Sequence, residues 1–588
     1  MSDAGLPERP VTQGRLQWFD HAIGLGLAAA FVAVLMMTTG MGFTRDEGFY
    51  FHAGYDYLGW FKDLAANLQA GQLAQSFTQA NIDQHFAYNQ EHPVLPKMLF
   101  SLSYWIFHEG LGWMDASTSM RFPGMLFSGG LIYLVYVFCA EAFGRWQGIF
   151  AAIATIAMPR PFFHAHMACF DAPVSTMWFM TMYAYWKGLR STGWAWATGV
   201  IFGLALSIKH NMFFVPPMLV LHWLMVDGQR IAVFRESGHW RLRLPPVPVS
   251  FVSMAFVGPL VWYALWPSHW FDTYNRIAWY FNFHLKHVHY FQYYFGQNLY
   301  EPPFPIEFPF VMSLVTMPPV TLVAFVLGTM MMVALWLRRK GGVGWLEPLR
   351  RPVRQRLGEV EDKDGRGTGW WLFFGTLIPF LVIAQPSTPI FGGIKHWMPA
   401  MPFMAIVAGV GVVAAGEALA VRFAAAKPRL RHAVVAGLLV LVLAPAITAT
   451  VHNHPHGTAF YNVLVGGTRG AADLKMMRQF WGFSSRNGLP YLNDNVKPNG
   501  SVFFQNTNRD SYQMYQRDGL LRKDIRYGSM RGSQYGLIHH QMAARSLEIE
   551  MWQVYKTRNP SFVGDYDGVP VLSIYPRNPK KTAPAAKP

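Results

Sequence analysis

Charged residues are scarce in this chain: 14% of its 588 residues are Asp, Glu, Lys or Arg and 52% are hydrophobic, where a soluble domain carries roughly 25% charged. That shortage excludes an ordinary soluble enzyme, because most of the chain has to be solvated by lipid. Cysteine is nearly absent. Cys139 lies within an apolar segment and Cys169 at the end of one, so there is no CxxC pair, no disulfide framework and no dithiol redox chemistry. A small-residue cleavage site is missing from the first apolar run, about 21–43, which is long enough to span and is expected to remain as an anchor.

Apolar length is what the chain has in abundance. Further runs near 121–140, 147–159, 172–186, 193–207, 210–226, 249–267, 309–337, 369–385, 397–416 and 433–451 bring the count to eleven expected spans. Val94 to Phe107, at about 14 residues, suits an interfacial or re-entrant helix better than a crossing. The formal net charge of +16 then sets the orientation. With eleven spans, about 22 Lys and Arg, including Arg9 and Arg15, fall in cytoplasmic segments holding Arg145, Lys187 with Arg190, Arg230 to Arg243, Arg338 to Arg366 and Arg422 to Arg431, against about nine outside. The basic excess thus answers to the membrane and not to nucleic acid.

The expected organisation is an α-helical polytopic membrane protein with a small C-terminal α/β domain. Residues 1–20 form a cytoplasmic N-terminus. Residues 21–451 form the transmembrane body, with an outer loop 44–120 and a cytoplasmic linker 338–368. Residues 452–577 form the outer domain, and 578–588 a disordered tail. Within the outer domain, Ser501 to Gln505, Tyr535 to His539 and Val569 to Tyr575 alternate like strands, while Asp510 to Gln516 and Gln541 to Tyr555 read as helices.

Chemistry-bearing residues gather on the outer side. Thr44-Arg45-Asp46-Glu47-Gly48 follows the first span and opens an aromatic segment with the spacing of an interfacial helix. Two adjacent carboxylates at a lipid boundary repel and are costly to desolvate, so they call for a cationic partner, a metal or a proton; the plainer alternative is a capped helix start. Asn89-Gln90-Glu91-His92-Pro93 opens the short helix, and Glu91 with His92 is a candidate ligand pair for a divalent ion or a phosphate. Asp171 begins a span from the outer side.

These motifs together resemble the GT-C superfamily, in the branch of the protein O-mannosyltransferases and the bacterial aminoarabinose transferase. The resemblance is carried by Asp46-Glu47, His92-Pro93-Val94-Leu95-Pro96, Arg121-Phe122-Pro123, Phe143-Gly144-Arg145, Phe170-Asp171-Ala172-Pro173, Ser207-Ile208-Lys209, Lys395-His396-Trp397-Met398-Pro399, and the stretch from His454-Pro455-His456 to Gly466-Gly467. It covers about residues 15–470 and implies inverting transfer of one sugar from a polyprenyl-phosphate donor to a protein, lipid A or envelope-glycan acceptor, on the periplasmic face of a bacterial inner membrane. By resemblance Asp46 is the base, Glu47 and Asp171 line the acceptor side, and Glu91 and His92 stand near the phosphate with one divalent metal ion. His92, Lys209, Arg276 and Lys395 are the expected phosphate-binding groups. Two positions depart from the aminoarabinose pattern, Phe49 where that branch has arginine and His92 where it has lysine, which argues against that sugar.

A rival reading uses the 31 methionines and the groups His284, His287, His289 and His452, His454, His456 to build a metal transporter. The uninterrupted apolar centres of most spans speak against it, since a transported ion needs polar ligands near the midplane. A non-catalytic membrane scaffold keeping the same fold is the third reading, and the presence of both Asp46 and Asp171 weighs against it.

Overall fold

The computed structural model describes residues 16–228, 231–237, 239–286, 288–339, 350–352, 354–355, 365–424 and 428–578. The expectations for Arg9, Arg15, Arg230, His287, most of the 338–368 linker and the tail beyond 578 lie outside the described residues.

The chain begins with α1 (Trp18–Met37), α2 (Arg45–Gln69), α3 (Gln79–Phe86), α4 (Leu95–Ser103), α5 (Ala116–Ala142), α6 (Arg145–Ile156) and α7 (Pro159–Ala165). It continues with α8 (Asp171–Gly188), α9 (Thr192–Leu206), α10 (Val215–Asp227), α11 (Val249–Ala264), α12 (Thr273–Leu285), α13 (Phe308–Thr316) and α14 (Pro319–Arg338). Three long helices follow, Thr368–Ala384, Met401–Ala424 and Pro428–Asn453. Every expected apolar run is helical, but 309–337 is two helices rather than one span. Met317 is extended between α13 and α14, because the Pro318-Pro319 pair removes two amide donors and disfavours helical geometry in the residue before it.

Among the described residues five helices are long and apolar enough to cross a membrane: Trp18–Met37, Ala116–Ala142, Pro319–Arg338, Met398–Phe423 and Arg429–Asn453. α5 is buried along most of its length, whereas α1 and α14 leave most of their surface uncovered, the side that lipid solvates. Close packing within the bundle uses small residues. α9 lies on α11 with Gly199 against Ser253 and Gly203 against Gly258, where any Cβ would collide with the opposing backbone.

Val94 to Phe107 is helical almost throughout. α4 spans nine residues and passes directly into a π-helical turn, Tyr104–Gly110, so that the helix runs unbroken from Leu95 to Gly110. α2 is 25 residues long and carries charge or polarity on every turn, as a helix lying outside the hydrocarbon must.

Two small hairpins interrupt the helical body, β1 (Ala232–Glu236) with β2 (His239–Arg243), and β3 (Gln292–Tyr294) with β4 (Gln297–Leu299). The C-terminal sheet comprises β5 (Ser501–Phe504), β6 (Arg526–Tyr527), β7 (Tyr535–His539), β8 (Phe562–Tyr566) and β9 (Val569–Pro576), in the order β6-β5-β7-β9-β8. β5 runs parallel to β6 and β7, and β9 antiparallel to β7 and β8. β6 and β8 were not expected: one has two residues and the other places Gly and Asp between its apolar positions.

The helix Arg509–Arg517 fastens this sheet to the start of α2. Asn508 Nδ2 donates to Arg45 O (2.9 Å), Ser511 Oγ to Thr44 O (3.1 Å), and Phe43 N to the Tyr515 hydroxyl (2.7 Å). A Cβ on Gly48 would overlap the Asn508 amide, which is itself fixed as an N-cap for Ser511 (2.7 Å). Gly48→Val is therefore expected to cost about 1–3 kcal/mol through this junction, read as a lower melting temperature and faster tryptic release of a C-terminal fragment.

Candidate active site

The acidic pair is divided by helix geometry. Asp46 and Glu47 occupy the first turn of α2, and successive residues on a helix point about 100° apart. Glu47 turns inward and is fully buried. It closes a capping box with Thr44, accepting from Thr44 N (2.9 Å). Arg121 of α5 grips it bidentately, Nε to Oε1 at 2.7 Å and Nη2 to Oε2 at 2.9 Å, and Ala168 N adds a bond at 3.1 Å. Arg121 also donates to Gly42 O (2.9 Å). This ion pair joins α2, α5 and the segment before α8, and fixes where Asp46 stands.

Asp46 is the open member. Its side chain keeps 21% exposure and meets two cations loosely, Arg45 Nε at 3.8 Å and Lys395 Nζ at 3.7 Å. Lys395 is held over the Trp481 ring (4.4 Å) and the Phe391 ring (4.6 Å). Burial lowers its pKa while Asp46 and Asp171 raise it. Trp481 comes from the segment leading into the C-terminal sheet, and its carbonyl accepts from Arg45 N (2.8 Å).

Asp171 is buried at the start of α8, with Lys209 Nζ 2.7 Å from Oδ1 and His164 Nδ1 3.4 Å from Oδ2. Unlike Asp46 it has a close cation of its own. Tyr50, one turn after Asp46, packs its ring on Phe170 (4.3 Å). Burial pushes its phenol well above 10, and the charges of Asp46, Asp171 and Glu91 add to the rise.

His92 joins this group from the other side, 5.9 Å from the Tyr50 ring. Its Nδ1 is enclosed and without a hydrogen-bond partner. Burial, then the charges of Lys97, Lys209, His284 and Lys395, push its pKa well below 6.5, so the ring is neutral and offers an N–H rather than a cation. Lys97 of α4 is fully buried and ties down the loop, donating to Asn89 O (2.7 Å) and His92 O (3.0 Å). Burial holds its amine well below the ordinary lysine range. Glu91 accepts from Asn89 Nδ2 (2.7 Å), and its backbone carbonyl meets His284 Nε2 at 3.0 Å.

Arg276 belongs elsewhere. Its guanidinium is closed on Asp83, Nη1 to Oδ1 at 2.6 Å and Nη2 to Oδ2 at 2.9 Å, so its charge is already met and it is not one of the cations around Asp46. Among the described residues no group of three or more His, Cys, Asp and Glu side chains that could hold a metal ion is present. The histidines behind the transport reading are also dispersed. His284 stacks on His210 (3.9 Å), His452 pairs with Asp567 (3.1 Å), and His454 stacks on His166 (5.1 Å).

Sequence reasoning missed Arg121 as the partner of Glu47, along with Tyr50, Lys97 and Trp481. An arginine inside an apolar run and a lysine in Leu-Pro-Lys-Met-Leu-Phe were visible signals. Trp481 carried none.

Residues 91–270 match the family described as dolichyl-phosphate-mannose-protein mannosyltransferase, about a third of the chain. No curated protein matches. Three solved structures are similar in outline: ArnT from Cupriavidus metallidurans in the apo state (13% identity, TM-score 0.47, 96% of this chain and 100% of that one), the same protein bound to undecaprenyl phosphate (12%, 0.45, 96% and 99%), and the archaeal oligosaccharyltransferase AglB from Archaeoglobus fulgidus in complex with an inhibitory peptide and a dolichol-phosphate (10%, 0.47, 96% and 75%). Likeness at that level bears on neither activity nor ligand. The family match falls on the segment that holds Glu91, His92, Arg121, Asp171 and Lys209.

Proposed function

We propose that the protein transfers one sugar, with inversion, from a polyprenyl-phosphate carrier to an acceptor hydroxyl of the cell envelope, with Asp46 as general base. One observation carries the choice of base. Of the three expected carboxylates, Glu47 and Asp171 are buried against close cations, while Asp46 is partly open and its cations stand farther off. The acceptor oxygen attacks C1 of the sugar as its proton passes to the Asp46 carboxylate; the C1–O bond to phosphate breaks and its electron pair leaves on the lipid phosphate. Lys395 and Lys209, with the His92 N–H, meet that growing charge in a site shielded by Tyr50, Phe170 and Trp481. Glu47 and Asp171 then position α2 and Lys209 rather than touching the acceptor.

A bacterial inner membrane with the site on its periplasmic side fits the charge pattern. Arg121 and Glu141 lie 20 residues apart on α5, a rise of about 30 Å, which is the thickness of the hydrocarbon core. At the far end Glu141 binds Lys187 (2.8 Å) and Arg366 (3.5 Å), the basic side expected to face the cytoplasm.

The proposal is tested with purified protein, a labelled undecaprenyl-phosphate sugar and an envelope extract. Label should move to the extract with the anomeric configuration inverted; a retained configuration or no transfer with any of several sugars would exclude this chemistry. Lys395→Met should lower kcat by roughly 10²-fold with a smaller change in KM.

A further inference from the structure

The hairpin of β1 and β2 joins α10 to α11 at the end of α10 away from Lys209, and among the described residues no third strand adds to it. Two strands of five residues have little core of their own and are marginal in water. Their register sorts the side chains, because directly opposed residues of an antiparallel pair share a face and the face alternates along each strand. Val233 opposes Leu242 and Arg235 opposes Trp240, so these four share one face; Phe234 with Arg241 and Glu236 with His239 share the other. The second face is closed by its own contacts: Arg243 lies over the Phe234 ring (5.2 Å) and Arg241 binds Glu236 (2.9 Å). On the first face Val233, Trp240 and Leu242 are 66%, 74% and 59% exposed. The hairpin thus shelters Phe234 and leaves three large apolar side chains bare.

What covers them follows from where the hairpin is tied. β1 starts five positions after α10 ends, and α11 starts six positions after β2 ends. Trp223 Nε1 of α10 donates to Pro246 O (3.2 Å), which holds the second connection against the bundle. Arg243 is three residues before Pro246, a reach of about 10 Å at most, so the base of the hairpin stays at the end of the bundle. Bare apolar residues continue from it along the chain: Leu244, Val247, Val249, Val252, Phe256 and Leu260 are all exposed. The last four are spaced as one stripe along α11, the surface that hydrocarbon solvates. Arg235, Arg241 and Arg243 against Glu236 give the hairpin a basic excess, the complement of an anionic leaflet. We propose that the β1–β2 hairpin is a docking surface for an anionic bilayer, with Val233, Trp240 and Leu242 entering the interface and the arginines among the headgroup phosphates. Tryptophan and arginine both suit that depth, each with an apolar body and a polar end. The inference stands whether or not Asp46 is the base of a sugar transfer.

Cys139 and Cys169 are the chain's two cysteines and both are buried, so a nitroxide label can be placed at single introduced cysteines in the full chain. Val233→Cys and Leu242→Cys report one face of the hairpin, Phe234→Cys and His239→Cys the other. In nanodiscs of phosphatidylcholine with phosphatidylglycerol, relaxation by oxygen relative to a water-soluble nickel complex should be roughly fivefold higher for the first pair than for the second, as for an apolar face sunk into the headgroup boundary. Phosphatidylcholine alone should lower the ratio of the first pair roughly threefold, and so should Arg241→Gln combined with Arg243→Gln in the anionic nanodiscs. If the double variant unfolds the hairpin, about 1 M salt on the unaltered arginines takes its place, since it screens their attraction to the headgroups. A water-like ratio at all four positions, shielding of the first pair from both reagents as beneath a protein partner or a second copy, or indifference to lipid charge and salt overturns the proposal.

Discussion

Asp46→Asn should lower sugar transfer by about 10³-fold, the effect of removing a positioned general base, and leave the melting temperature within a degree or so of wild type, as expected for a side chain outside the core. Both halves follow from the same geometry. The carboxylate is 21% exposed and its nearest cations stand at 3.7 and 3.8 Å, beyond hydrogen-bond range, so an isosteric amide disturbs little of the fold. What it removes is the proton acceptor. Donor binding, measured by retention of a labelled polyprenyl-phosphate sugar, should persist in the variant, because Lys209, Lys395 and His92 are untouched. Full turnover by the Asp46→Asn variant would take the base role from this carboxylate.

Arg121→Met should have the opposite profile, a loss of about 3–5 kcal/mol of stability with activity falling as a consequence. Glu47 would be left as an unpaired carboxylate with no exposed surface, in a bundle whose low dielectric makes that charge costly. The same cost applies to Glu47→Gln, which strands the Arg121 guanidinium. Removing both, Arg121→Met with Glu47→Leu, should restore a large part of the stability, since a buried ion pair replaced by packed apolar side chains is often neutral. Activity should not return with it, because the bonds from Thr44 N and Ala168 N to Glu47 that set the Asp46 turn are gone. Thermal inactivation in detergent across the single and double variants measures the first effect, and transfer assays at a permissive temperature the second. Equal stability of Arg121→Met and wild type would mean that the pair does not pin α2 to α5.

The contrast between these neighbours shows what local sequence is able to say. Thr44-Arg45-Asp46-Glu47 announces a capped helix start after an apolar run, because capping and the 3.6-residue period are properties of adjacent residues. The multi-pass body, the short α4 opened by His92-Pro93, and the strands β5, β7 and β9 were legible for the same reason. The break between α13 and α14 was legible too, in Pro318-Pro319, and was hidden only by reading hydropathy across it. The segment 91–270, which matches the mannosyltransferase family, holds five of the short motifs on which the resemblance rests.

The tertiary structure alone decided which acid is free. Glu47 and Arg121 are separated by 74 residues, Asp171 and Lys209 by 38, and Arg276 and Asp83 by 193; no periodicity links positions so far apart. Whether a carboxylate is a buried pin or an open base depends on which cation packing brings within 3 Å of it, and that depends on how helices from distant parts of the chain lie against one another. Composition and local pattern therefore determined a helical membrane protein and the short motifs by which it resembles glycosyltransferases. Packing determined that the Asp46 carboxylate stays partly open, that Glu47 and Asp171 are spent on ion pairs, and that Arg276 is closed on Asp83.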